Sequence, residues 1–174
     1  MKVLGVIKLI LGVGLLTNGL TQLISHETWW FMQNVNLIFH EAGHVLFMFF
    51  GKFLYILGGS LSEILIPTLI TVYFWYHQQT FSAACTSWWM ATAFLSVSIY
   101  AADAYERHLP LITGDIETHD WFNLLQPYGF LKYDNLFGYT FWLAGLLSLG
   151  LLVYFLYKDK EIRLLFIGSR PEPT

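Results

Sequence analysis

Leu37-Ile38-Phe39-His40-Glu41-Ala42-Gly43-His44-Val45-Leu46-Phe47-Met48-Phe49-Phe50 decides how this chain is read. Three ionisable side chains stand in a run that is otherwise almost wholly apolar. Counted back to Trp29, the run supplies the ~20 residues that a bilayer crossing requires. A segment exposed to hydrocarbon must satisfy its own backbone hydrogen bonds, so the run reads as a helix. Each ionisable group at that depth costs at least a few kcal/mol, so it needs a partner or a role.

The whole chain has the same character. Hydrophobic residues make up 56% of the 174, and charged residues 12%, about half the ~25% usual for globular proteins. Mean hydropathy is +0.53. A domain of this size leaves much of its area exposed, so one small core could not hide so much apolar surface. A soluble monomer is excluded. Cys85 is the only cysteine, which excludes an internal disulfide scaffold. A net charge of −3 and a pI near 6.0 give no basic footprint for nucleic acid.

Outward from the opening stretch, the expectation is an all-α, polytopic membrane helix bundle. Its five hydrophobic helices cover about 3–24, 29–50, 53–76, 81–102 and 139–157. Residues 1–157 then form a single transmembrane domain, followed by a polar tail at 158–174. The first stretch has Lys8 inside it and no small-residue cleavage pattern after it, so it is expected to stay as a helix. Trp29-Trp30 open the second stretch and Trp75 closes the third, where amphipathic rings favour the headgroup level. Basic residues divide four against four between the two faces and set no orientation. Between helices four and five lies a long loop, 103–138, with Trp121, Phe122, Leu124 and Leu125 in it. It is too apolar for a solvated linker and is expected to fold back on the membrane face, with a short helix near 120–126.

Two histidines at i and i+4 lie on one helix face, so His40 and His44 can reach one cation, with Glu41 beside them. Zinc bound this way lowers the pKa of its water toward ~7, and Glu41 takes the proton as general base. A catalytic zinc needs a third protein ligand and an open position. In an antiparallel arrangement the fourth helix ends on the side of His40 and His44, which makes Asp103, His108, Asp115, His119 and Asp120 the candidates. His119 completes a three-histidine set with Asp103 orienting an imidazole; the reverse assignment, with Asp103 as ligand, also stands. Glu63, Asn36 and Asp120 are expected to support the metal ligands or touch substrate. Gly58-Gly59 reads first as close helix packing, and Pro67 as a kink in its helix.

With His40-Glu41-Ala42-Gly43-His44 in an apolar helix and Gly58-Gly59 after it, the chain resembles intramembrane zinc metalloproteases of the site-2-protease type. It is also similar to small bacterial multi-pass proteins that add Ala102-Asp103 and His119-Asp120-Trp121. The first resemblance implies His40 and His44 as zinc ligands and Glu41 as catalytic base. That family's third ligand is an Asp followed by Gly; here Asp103 precedes Ala104, and Gly114-Asp115 has the reverse order. The implied activity is a membrane-embedded zinc hydrolase, foremost a metallopeptidase acting on a transmembrane peptide. The alternatives are a zinc-dependent lipid amide or ester hydrolase and a non-catalytic membrane protein with a structural metal site. The expected setting is the bacterial inner membrane.

Overall fold

The computed structural model describes residues 2–25 and 31–167, and among these there are helices and turns and no strand. The helices are α1 (Lys2–Ile24), α2 (Phe31–Phe47), α3 (Lys52–Tyr76), α4 (Thr80–Ala102), α5 (Asp120–Leu125), α6 (Asp134–Lys158) and α7 (Lys160–Ile167). Three runs are long and apolar enough to cross a membrane: Lys2–Ile24, Lys52–Tyr76 and Leu131–Lys158. The expected Trp29-Trp30 boundary and the last seven residues of the tail lie outside the described residues.

Helix α4 is the axis of the fold. It packs against α1, α2, α3 and α6, and none of its residues is exposed. That placement explains its composition. A helix with no lipid-facing side needs small residues that let neighbours approach, and Ala83, Ala91, Ala93 and Ala101 are fully buried. Gly138 and Gly145 of α6 meet α4 in the same way, against Ala102 and Leu95. The Ser98 hydroxyl donates to the Gly138 carbonyl at 2.8 Å. The outer helices turn large apolar side chains outward instead, among them Ile10, Leu46, Phe49, Leu69 and Leu147. That is far more apolar surface than a soluble monomer carries.

Helix α1 lies on α6 and α7 through Gly5, Gly12 and Gly19, spaced seven apart. A Cβ at Gly12 or Gly19 would run into Leu156 or Leu149. Lys8, the charge that interrupts the first apolar stretch, is answered by Asp159 at 3.0 Å and Glu161 at 2.8 Å. Asp159 also caps α7, accepting from the Glu161 and Ile162 amides. The start of the expected polar tail is therefore a helix held against α1.

Helix α6 begins at Asp134, five residues before the expected 139. Its polar opening hid it: the Asp134 carboxylate accepts from the Asn135 amide at 2.6 Å and from the Tyr105 amide at 3.1 Å. An acid in a first helical turn also complements the helix dipole. Between α4 and α6 the chain is partly helical, with α5 and turns at Ile116–Thr118, Gln126–Tyr128 and Leu131–Tyr133. The α2–α3 connection turns at Gly51, whose φ of 89° favours glycine.

Candidate metal centre

Gly43 on α2 and Gly58 on α3 set the distance between the two helices that build the site. A Cβ on Gly43 would strike the Gly58 carbonyl, and one on Gly58 would lie 2.8 Å from the Gly43 oxygen. One position on, Gly59 does something different. Its missing Cβ would sit 2.5 Å from His40 Nε2 and 2.6 Å from His44 Nε2. The paired glycines thus serve packing at Gly58 and leave room for two imidazoles at Gly59.

Both imidazoles are oriented by acceptors on α3. His40 Nδ1 lies 3.2 Å from Glu63 Oε2, and His44 Nδ1 lies 2.9 Å from the Tyr55 carbonyl oxygen. A carbonyl oxygen and a carboxylate oxygen are acceptors, so each Nδ1 faces an acceptor on α3 and each Nε2 is the nitrogen turned toward the centre. This is how metal-binding histidines are commonly held. The two Nε2 atoms converge on one carboxylate oxygen, Asp120 Oδ2, at 2.9 Å from His40 and 3.2 Å from His44. A tetrahedral site with bonds of ~2.0–2.1 Å has edges of about 3.3 Å between ligand atoms. The separations of 2.9 and 3.2 Å are at or just under that edge, and His40, His44 and Asp120 form a group that could hold a metal ion. Three protein ligands leave one tetrahedral position for water or substrate.

Asp120 reaches this place because α5 is tied down on three sides. The Asp120 amide donates to the Tyr100 hydroxyl at 2.9 Å. Trp121 Nε1 donates to Ser60 Oγ on α3 at 3.1 Å. His119 is the N-cap residue: its Nδ1 accepts from the Phe122 amide at 3.2 Å. Capping turns the His119 ring away from His40 and His44 and toward Asp103, whose Oδ2 is 3.4 Å from His119 Nε2. That approach is an ion-pair distance without hydrogen-bond geometry, and His119 Nε2 has no hydrogen-bond partner among the described residues. Burial pushes the His119 imidazole below its ordinary pKa, with Asp103 opposing.

Beside the two histidines the structure thus brings Asp120, and neither His119 nor Asp103 joins that group. Asp103 closes α4 and accepts from the His108 and Leu109 amides, both at 2.9 Å. It thereby fixes the start of the segment that roofs the site. Glu63, 3% exposed, holds His40 through one carboxylate oxygen, while its other oxygen has no hydrogen-bond partner among the described residues. Asn36 is fully buried one turn before His40, but it is spent on α4: its Oδ1 accepts from Trp89 Nε1 at 2.9 Å, and its Nδ2 lies 3.4 Å from Thr92 Oγ1. Two contributors escape a reading of the sequence. Tyr55 acts through its backbone, which no residue type signals. Tyr100 lies between His40 and His119, edge-on to the first and tilted on the second, with ring centroids 5.7 and 4.4 Å away.

A cavity of about 780 Å³ opens onto the group. Glu41 lies on its wall with His40, His44, Glu63 and Asp120, and residues 109–113 close one side. The chain matches no family model, no curated protein and no solved structure.

Proposed function

We propose that this chain is a membrane-embedded, zinc-dependent hydrolase that cleaves an amide or ester. The observation that carries the reading is the convergence of three donor atoms, two of them on imidazoles whose other nitrogens are already committed. Two neutral imidazoles and one carboxylate suit zinc, which, when bound, acidifies water and polarises a carbonyl. His40, His44 and Asp120 hold the ion. Glu63 and the Tyr55 carbonyl keep the imidazoles in the ligating tautomer, and Tyr100 holds the start of α5. Glu41, on the cavity wall beside His40, takes the proton from the attacking water and passes it to the leaving group.

The same reading gives the chain five membrane spans in a cell membrane, as one bundle. Helices α2 and α4 join the three most apolar helices because most of their polar residues face inward, Asn34 and Glu41 of α2 excepted. Asn36 and His40 on α2 and Ser87, Thr92 and Ser98 on α4 are each 5% exposed or less. Hydropathy averaged along α4 counts its serines and threonines against a span, although lipid never meets them, and α2, 17 residues long, is lengthened by the turn at Met48–Phe50.

Metal analysis of the detergent-purified protein tests the centre. About one zinc per chain is expected, absent from a His40→Ala, His44→Ala double variant. Glu41→Gln is expected to retain zinc and lose hydrolysis. A folded wild-type protein without metal sinks the proposal.

A further inference from the structure

The cavity is longer than a site for a single carbonyl needs to be. On α2 its wall runs from Gln33 to His44, eleven positions and about 16 Å at ~1.5 Å per residue. The ionisable residues lie toward one end, with Lys52, the only Lys or Arg on the wall. The far end is made by Gln33 and Leu37 of α2 and Ser96 and Ile99 of α4. It is a slot running along the helices, uncharged below and charged above.

Two kinds of occupant follow from the hydrolase reading, and the slot separates them. A substrate helix must unwind where it is cut, because its carbonyls are bonded within the helix and ringed by its own side chains. An unwound peptide is thin enough, but ~16 Å of it is about five residues at ~3.3 Å each, with about ten backbone donors and acceptors. Among the described residues no strand edge is available to pair with them, and the lower slot offers the side chains of Gln33 and Ser96. Each polar group left unpaired in such surroundings costs several kcal/mol. A hydrocarbon chain has no such requirement, and its volume falls within the range of small-molecule pockets.

We infer that the slot takes one acyl chain of a membrane lipid, with the chain among Leu37, Ser96 and Ile99 and its ester or amide carbonyl level with His40, His44 and Asp120. This rests on the hydrolase reading above. Lys52 favours an anionic headgroup. In the reaction, water oxygen joins the carbonyl carbon and the C–O or C–N bond breaks. The water proton travels by Glu41 to the departing alcohol or amine, and a fatty acid is released.

The test uses lysophosphatidylglycerols of increasing chain length. Their binding to zinc-loaded Glu41→Gln protein is measured first, then their cleavage by wild type. Binding is expected to strengthen up to a limiting length and weaken beyond it. Ser96→Phe, which shortens the slot from α4, is expected to shift that limit to shorter chains; Leu37→Phe does the same from α2 should the first variant fail to fold. Wild type is expected to release fatty acid from the chains that bind. Binding indifferent to chain length, or a limit unmoved in both variants, overturns the acyl assignment. Cleavage of a transmembrane peptide while bound lipid stays intact also overturns it and leaves the hydrolase standing. A chain-length limit that moves as expected, with neither lipid nor peptide cleaved, supports the acyl slot and removes the hydrolase.

Discussion

Glu63 Oε2 lies 3.2 Å from His40 Nδ1, so a carboxylate buried in one helix orients an imidazole on the next. Removing the carboxylate without removing the imidazole should loosen the ion and keep its ligands. Outer partners of this kind are typically worth about 10–100-fold in metal affinity. Glu63→Ala is therefore expected to weaken zinc binding by that order, read by competition with a chelator of known affinity. An unchanged affinity would mean that Glu63 serves packing alone.

Asp120 and His119 are adjacent in sequence and opposite in role, which two substitutions separate. Asp120→Ala removes a donor atom and is expected to lose stoichiometric zinc. His119→Asn keeps a side-chain acceptor at the N-cap and is expected to keep one zinc per chain. The reverse result would return the third ligand to His119.

Gly59 has room for nothing larger. Gly59→Ala places a methyl group within 2.6 Å of both Nε2 atoms, so zinc binding is expected to fall below detection while helicity by circular dichroism persists. Gly150→Ala, where a Cβ meets nothing within 4 Å, is the control. It should leave metal content intact and raise stability by up to ~1 kcal/mol through helix propensity. Equal zinc content in the two variants would contradict the placement of the imidazoles.

Asp159 gives the acid limb of stability a specific origin. Burial alone would raise its carboxyl, but Lys8, the Ile162 amide and the Thr80 hydroxyl outweigh burial and hold it below the usual carboxylate range. A carboxylate with a depressed folded pKa stabilises the protein above the unfolded pKa of about 4. That stability is lost as pH falls through the lower folded value. Thermal midpoints are expected to drop on acidification below about pH 4, and to drop less in Asp159→Asn. Parallel profiles for the two proteins would assign the acid limb elsewhere.

Spacing made His40 and His44 legible, because two residues four apart on a helix share a face whatever surrounds them. It could not choose between His119 and Asp120. That choice depends on where α5 begins, and the capping bond from the Phe122 amide to His119 decides it. The Tyr55 carbonyl left no mark in the sequence because every residue has one. Helix boundaries were readable where apolar runs ended sharply, at Ile24 and Tyr76, and misread where polar residues opened a helix, at Asp134 and Lys160. Helix α4 was legible at 81–102, one residue from its observed start at Thr80, although its enclosed serines and threonines lower its mean hydropathy.

The short helix that delivers Asp120 has six residues, too few to persist in isolation, since a first helical turn is costly to nucleate. Its docking by Trp121 and Tyr100 and the metal bond proposed for Asp120 would thus be two halves of one equilibrium. In the proposed zinc-bound protein the ion would act on this segment as a clasp acts on a strap: amide hydrogen exchange across 120–125 is expected to slow in proportion to occupancy, and a chelator to open the roof of the cavity as it empties the site.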